Sequence, residues 1–362
     1  MRRLKLFSIL FLSGVLIGGF LPVDSQAKMI FKTQSGYPTR MSLLGEGIVY
    51  FSKILEEASG GDLSFKIYEP EKLVPTMEAL EAVSKGRIEA CYVVSGFFAG
   101  KLPVAPIFSS IPFGPEAPEY AAWMFQGNGL KLNQEMYDRA GYNVKVWPLS
   151  FIAPETSGWF RKEIKTLDDL KGLKMRFYGL GGQVMQKLGV SVTLLPTSEI
   201  FPALEKGAID ATEFSMPSLD KSLGFHKVCK YNYFPGWHQL STYVEIFINK
   251  DIWEKKMNAQ QRKMVEMAVK ATLFETLSIG EAAQPPVIRE NVEKHGVIIK
   301  YWGPEFLDAF KKAWLEVVEE YKAKDPFFKK VWEDLEAFRK DYAMYQALST
   351  LPRKTGWFGL PK

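Results

Sequence analysis

The sequence predicts an α/β protein of two lobes that present loops to a shared cleft. Three observations carry this. Strand and helix patterns alternate in a β-α-β-α-β order through the first hundred residues, which is the signature of an α/β sheet. A segment near residue 80, Ala79-Leu80-Glu81-Ala82-Val83-Ser84-Lys85-Gly86-Arg87-Ile88-Glu89-Ala90, is echoed about 120 residues later by Ala203-Leu204-Glu205-Lys206-Gly207-Ala208-Ile209-Asp210-Ala211. Each reads as a helix end, a glycine stop and a short strand, followed by a loop (Ser95-Gly96-Phe97-Phe98, then Glu213-Phe214-Ser215-Met216-Pro217) where ligands of open α/β sheets bind. The 362 residues are enough for two such units.

Met29 to Gln34 reads as a strand and Ser35-Gly36-Tyr37-Pro38 as a turn. From Met41 to Ser59, Leu43, Leu44, Ile48, Val49, Phe51, Ile54 and Leu55 recur at helical spacing, and Gly60-Gly61 ends the helix. Leu63, Phe65 and Ile67 alternate as in a strand. Thr76 to Lys85 is helical and Ile88 to Val94 a strand. The proline-rich stretch Pro103 to Pro118 reads as surface connection, Tyr120 to Ala140 as one helix and Asn143 to Trp147 as a strand. Strands follow at Gly158-Trp159-Phe160, Lys174 to Phe177 and Val190 to Leu194, with a glycine-opened helix over Gly179 to Leu188. Thr242 to Asn249 alternates as a strand, Asp251 to Leu277 is helical, Pro285-Pro286 interrupts the pattern, and Phe306 to Tyr342 is a long helical tail. The division expected is 28–150 with about 240–280 for lobe I, and about 151–239 with 281–362, including the C-terminal helices, for lobe II.

The chain opens as an export signal. Arg2, Arg3 and Lys5 precede the apolar run Leu6 to Leu21, and Ser25-Gln26-Ala27 offers a cleavage site after Ala27, so residues 1–27 read as a signal peptide and the mature protein as periplasmic. The run is short of the roughly 20 residues a membrane span needs. Arg2-Arg3 is an incomplete twin-arginine pattern, which leaves the export route open. A scattered net charge of +5 without a basic run argues against nucleic acid as a partner. Cys91 and Cys229 are too few for a disulfide framework and read as buried free thiols.

Enzyme signatures are missing from the sequence: no Gly-x-Ser-x-Gly elbow, no phosphate loop and no His-Glu-x-x-His zinc helix. His226, His238 and His295 are too dispersed to suggest a three-histidine site. Arg176 stands among apolar neighbours ahead of a glycine-rich turn, where its planar fork either meets solvent or faces a cleft and grips a carboxylate. Glu155, Glu213 and Gln239 sit beside glycine, proline and large aromatics. Their oxygens could serve as acid and base, ligate a hard cation, bond a ligand hydroxyl, or be ordinary loop polarity. Phe97, Phe98, Phe214 and Trp237 are candidates to dry and shape a pocket, or else core.

The stretch from Pro154-Glu155-Thr156-Ser157-Gly158-Trp159-Phe160-Arg161-Lys162, through Asp169 to Arg176, Gly181-Gly182, Lys187-Leu188-Gly189 and Ala203 to Ala211, to Tyr233-Phe234-Pro235-Gly236-Trp237-His238-Gln239, resembles the solute-binding subunits of tripartite ATP-independent periplasmic (TRAP) transporters, in the branch of dicarboxylate, α-keto-acid and lactate receptors. The resemblance implies a two-lobe periplasmic-binding-protein-like fold with a long helix spanning both lobes, closure around an organic anion, and delivery to membrane permease subunits. It makes Arg176 the grip on a ligand carboxylate. It puts Glu155 where the keto-acid branch has a glutamine facing ligand or metal, Glu213 at a family glutamate, Phe214 where tryptophan is frequent, and Gln239 where a glutamate or glutamine completes the site.

The departures at Glu155 and Phe214 leave metal and ligand open. Arg176 against two acids gives a local charge near −1, which either a cation such as Na+ or Ca2+, held by Glu155, Glu213 and Gln239, or a protonated carboxyl would relieve. The expectation is a binding protein for a small organic acid, not an enzyme, closing because ligand contacts on both lobes favour the closed state. A secreted hydrolase using Glu155 and Glu213 is the alternative from another class. A binding protein serving an ATP-driven importer or a sensor kinase is a third. The long C-terminal helices could also pair two chains.

Overall fold

The computed structural model describes residues 28–195 and 197–350; the expected signal peptide, 1–27, lies outside them. The strands, in chain order, are β1 (Met29–Ser35), β2 (Leu63–Tyr68), β3 (Ala90–Val93), β4 (Val144–Ile152), β5 (Gly158–Phe160), β6 (Lys174–Arg176), β7 (Ser191–Thr193), β8 (Ala211–Thr212), β9 (Tyr231–Phe234), β10 (Thr242–Asn249) and β11 (Ile298–Tyr301). Among the described residues they form two sheets, of order β2-β1-β3-β10-β4 and β11-β9-β5-β8-β6-β7. β1 runs parallel to β2 and β3, while β10 runs antiparallel to β3 and β4. In the second sheet β6 is parallel to β7 and β8, and β5 is antiparallel to β8 and β9. Each sheet anchors one lobe, and the chain passes between them at 153–157 and 235–241.

The two echoed segments fold alike. Helix Ala79–Ser84 ends before Gly86, at φ 68°, and leads into β3; helix Thr197–Glu205 ends before Gly207, at φ 71°, and leads into β8. Left-handed backbone is cheap only for glycine, so each glycine lets the chain reverse from helix to strand. Both strands then deliver their following loops to the inter-lobe cleft.

Helix Ala259–His295 spans the lobes. Its 37 residues reach about 55 Å. It starts in a capping box, in which Asn258 accepts from Gln261 N at 2.8 Å and Gln261 accepts from Asn258 N at 3.0 Å, and it stops at left-handed Gly296. Thr276 Oγ1 accepts from Phe151 N in the first lobe, and Gln284 Oε1 accepts from Ser218 N in the second. This helix differs from the sequence expectation of a break at Pro285-Pro286. Both prolines are exposed, where water can replace the bonds a proline cannot donate, and Gln284 Nε2 donates to Gly280 O on the inner face.

Two other expectations change. The single helix expected over Tyr120 to Ala140 is two, Ala117–Gln126 and Gly129–Arg139, because Gly127 adopts extended backbone. The C-terminal tail is also two helices, Pro304–Lys324 and Pro326–Ser349, divided at Asp325, whose side chain caps the second by accepting from Phe327 N and Phe328 N. Their contacts cross the molecule: Lys187 pairs with Glu320 in the second lobe, while Arg339 pairs with Glu119 and Asp334 accepts from the Trp123 indole in the first. The proline-rich 103–118 stretch, expected at the surface, is largely buried and contains helix Ala105–Ser109. Cys91 and Cys229 are buried free thiols.

Candidate functional site

Loops from both lobes meet in an inter-lobe cavity of about 80 Å3. Tyr37 and Phe97 reach it from the carboxyl ends of β1 and β3, and Arg176, Tyr178 and Phe214 from those of β6 and β8. Glu155 comes from the first crossing segment and Gln239 from the second. Leu44, Val94, Ile152 and Val244 supply an apolar wall on the first-lobe side. Arg176 is the sole Lys or Arg among the described residues that line the cavity.

Arg176 is 6% exposed, and Glu213 is fully buried. Arg176 Nη1 lies 2.8 Å from Glu213 Oε2 and also donates to the Glu213 carbonyl oxygen. Glu213 N donates back to Arg176 O at 3.0 Å, and Tyr178 N donates to Glu213 Oε2 at 3.0 Å. The guanidinium carbon stands 5.3 Å over the Phe214 ring. The buried Arg176 Nε has no hydrogen-bond partner among the described residues.

His238 was not legible as a site residue from its spacing. Its Nε2 sits 3.3 Å from Glu155 Oε2 and 3.5 Å from Glu213 Oε1, with all three side chains buried. The signal available was its place beside Gln239 in the Tyr233-to-Gln239 motif. Burial works against a charged imidazole, but hydrogen bonds to Glu155 and Glu213, and their charges, lift it to about 9. Burial pushes the Glu155 carboxyl up to about 7 against the pull of His238. Burial acts on Glu213 in the same direction, yet the Arg176 guanidinium and the His238 hydrogen bond together hold it below the usual carboxylate range. Glu155 and Glu213 therefore meet a second basic group, His238, besides Arg176.

Glu155, Glu213 and His238 offer ligand atoms that all lie within 4.8 Å of one another. Two carboxylates at that spacing suit a hard cation, which prefers oxygen. Gln239 is arranged differently: its Oε1 accepts from Ser110 Oγ at 2.7 Å and from Thr242 Oγ1 at 2.8 Å, so its nitrogen faces Glu213 Oε1, at 3.4 Å.

Six of the eight residues expected at the site come together here: Arg176, Glu155, Glu213, Phe214, Gln239 and Phe97. Phe98 and Trp237 do not line the cavity. Phe98 packs edge-on against Phe247 in the first-lobe core, and Trp237 is held among Phe113, Phe177 and Phe310, one layer behind His238. Tyr178 joins the two lobes: its ring meets Phe97 edge-on with centroids 5.5 Å apart, and its hydroxyl lies 2.3 Å from where a side chain on Gly96 would begin.

The sequence model of the bacterial extracellular solute-binding protein, family 7, matches residues 35–325. A monocarboxylate 2-oxoacid-binding periplasmic protein of Nostoc sp. (strain PCC 7120) is 35% identical over 300 residues, covering 83% of this chain and 81% of its own. Among solved structures, a TRAP transporter solute-binding protein of Bordetella bronchiseptica, with copurified calcium and picolinate, superposes with a TM-score of 0.84 at 30% identity, covering 89% of this chain and 95% of that one. A TRAP periplasmic solute-binding protein of Colwellia psychrerythraea, with bound calcium and pyruvate, gives 0.84 at 29% identity, covering 89% and 97%. One of Pseudoalteromonas atlantica, with bound sodium and pyruvate, gives 0.83 at 29% identity, again covering 89% and 97%.

Proposed function

The chain belongs to the bacterial extracellular solute-binding proteins of family 7, the solute-binding subunits of TRAP transporters, and from that premise we propose that its cavity takes a monocarboxylic 2-oxo acid with a short apolar substituent. Members of the family are transport receptors, not enzymes, and pass small organic acids to membrane permease subunits. The observation that carries the reading is the single buried guanidinium, Arg176, facing a small cavity whose other side is apolar. A carboxylate gains a charge-assisted, planar contact at Arg176. A second carboxylate would meet Leu44, Val94, Ile152 or Val244 with no further lining cation, at the cost of burying an unpaired charge. The 2-oxo acid named for the Nostoc relative, and pyruvate in two structural relatives, support this class.

Glu155 and Glu213 would hold a hard cation, sodium or calcium, as the relatives with those ions suggest. Such an ion would supply positive charge to offset the two carboxylates beside an anionic ligand. Gln239 would join the ligand set only with its amide turned over; as it stands it steadies Glu213. Phe97 and Phe214 exclude water from the acid, with Phe98 and Trp237 behind them. Tyr178 against Gly96 and Phe97 favours the closed arrangement once ligand touches both lobes. The lobes would divide as 28–150 with about 240–280, and about 151–239 with 281–325, as sheet membership supports, while helix Pro326–Ser349 returns to the first lobe. Cleavage after Ala27 would release the protein to the periplasm. Pairing of two chains through the C-terminal helices remains part of the reading, since Met344, Tyr345 and Leu348 are exposed there.

Titration calorimetry with pyruvate, a branched-chain 2-oxo acid and 2-oxoglutarate tests the proposal. Binding of the two monocarboxylates, with 2-oxoglutarate much weaker, is expected. Preference for 2-oxoglutarate, or no binding of any 2-oxo acid, would overturn it.

A further inference from the structure

Asp220 is fully buried in the short helix Pro217–Ser222 and, among the described residues, neither lines the cavity nor pairs with a Lys, Arg or His. Its two oxygens instead gather three donors from two separate segments. Oδ2 accepts from Trp159 Nε1 at 2.8 Å and from Thr156 Oγ1 at 3.2 Å; Oδ1 accepts from Ser215 N at 3.0 Å. Thr156 follows Glu155 directly, and Ser215 follows Glu213 and Phe214. The two segments meet once more, through Thr156 N to Ser215 O at 3.2 Å. The helix that carries Asp220 is itself fastened to the lobe-spanning helix by Ser218 N to Gln284 Oε1, at 2.9 Å, and by Lys221 to Glu290, at 2.6 Å.

We propose that Asp220 is a positioning residue that fixes the Glu155 loop against the Glu213–Phe214 loop and ties both to the spanning helix. The inference rests on the reading of the cavity as an acid-binding site, and it adds the group that sets the spacing of the site's carboxylates. The arrangement requires an acceptor oxygen toward each segment. Each of its oxygens meets an obligate N–H donor, from Trp159 or from Ser215. An asparagine has one acceptor oxygen, so in either orientation of its amide one N–H faces another donor. Leaving a buried donor unsatisfied is costly, and taking that donor away as well removes this part of the cost. The substitution Trp159→Phe takes away the donor at Oδ2 and should therefore relieve Asp220→Asn.

The test compares wild type, Asp220→Asn and Asp220→Asn/Trp159→Phe by hydrogen–deuterium exchange without ligand, and by calorimetry with pyruvate. Asp220→Asn is expected to speed exchange in 153–157 and 213–216 and to weaken pyruvate binding, each by about tenfold or more, while β4 and β10 keep their protection. The double variant is expected to recover most of both losses. Unchanged exchange in the two loops, equal loss of protection in β4 and β10, or no recovery in the double variant overturns the proposal. Should wild type fail to bind any 2-oxo acid, the ligand reading falls, and the exchange comparison still decides the role of Asp220. If Asp220→Asn does not fold, Thr156→Val, which removes one donor and keeps the carboxylate, is expected to loosen 153–157; unchanged exchange there overturns the proposal equally.

Discussion

Arg176 and Glu213 hold each other twice over: Nη1 of the arginine spans both the carboxylate, at 2.8 Å, and the backbone carbonyl of the same glutamate. Neither side chain has appreciable contact with solvent. The pair fixes the guanidinium in place, with Nη1 committed to Glu213. Glu213 thus spends its charge on aiming the arginine, while His238 shares the remaining acid between the loops.

Replacing Arg176 by alanine should therefore weaken binding of a 2-oxo acid by at least about 2 kcal/mol, since it removes a buried charge partner. The same change leaves the Glu213 charge buried beside His238 alone and should lower stability by about 3 kcal/mol. Lysine would keep the charge but lose the planar fork, so Arg176→Lys should restore stability more than affinity. Calorimetry and chemical denaturation on the three proteins separate the two effects; undiminished affinity in Arg176→Ala would remove the arginine from the ligand.

Closure can be probed at the contact between lobes. A methyl group on Gly96 would begin 2.3 Å from the Tyr178 hydroxyl, and Phe97 edge-packing limits how far that ring can move aside. Gly96→Ala should disfavour the closed arrangement by about 1–3 kcal/mol, the usual scale of overpacking. Small-angle scattering with saturating ligand would then show a larger radius than wild type, and affinity would fall correspondingly. Equal radii and equal affinities would mean that the contact does not gate closure.

Local pattern made the joints of the fold readable. Gly86 and Gly207 mark helix ends because the chain needs left-handed backbone there, and the residues just beyond them arrive at the cleft as the topology requires. Arg176, Glu155 and Glu213 could be singled out because charges beside apolar strands and glycine turns are conspicuous. What stayed hidden depends on long-range packing. His238 becomes a site residue only because two loops 58 positions apart in sequence, at Glu155 and Glu213, converge on its ring. Phe98 and Trp237 look no different in sequence from Phe97 and Phe214, and which aromatic faces the cavity is decided by neighbours such as Phe247 and Phe310. Pro285-Pro286 suggested a break because local rules cannot know that both lie on the solvent side of a helix held by two lobes.

A buried acid in the first-lobe core should give the protein a pH signature of its own. Glu245 on β10 accepts from Asn133 and Tyr137 in the first-lobe core, and burial raises its carboxyl to about 7. A carboxyl whose folded pKa exceeds its unfolded one binds more protons when folded. Its contribution is complete below the ordinary carboxylate value, near 4.5, and is lost as pH rises through about 7. The loss is on the order of 3 kcal/mol at most. Thermal unfolding of wild type should therefore move down between pH 5 and 8 more steeply than that of Glu245→Gln, which cannot ionise. Parallel curves for the two proteins would mean that Glu245 ionises in the folded state as easily as in the unfolded one.

The cation reading has its own consequence. Glu155 and Glu213 bring their carboxylates close enough to hold one ion between them, and an anionic acid would then complete the charge balance. Ligand and cation should accordingly bind better together than apart, because each supplies the charge the other lacks. Protein stripped with a chelator and dialysed into a sodium-free buffer should bind pyruvate at least about tenfold more weakly, a coupling of ~1.4 kcal/mol. Calcium or sodium should restore the affinity. Glu155→Gln keeps an oxygen donor but removes one negative charge, so it should weaken the response to calcium more than the response to sodium. If pyruvate binds equally with and without either ion, no metal is needed to hold the acid.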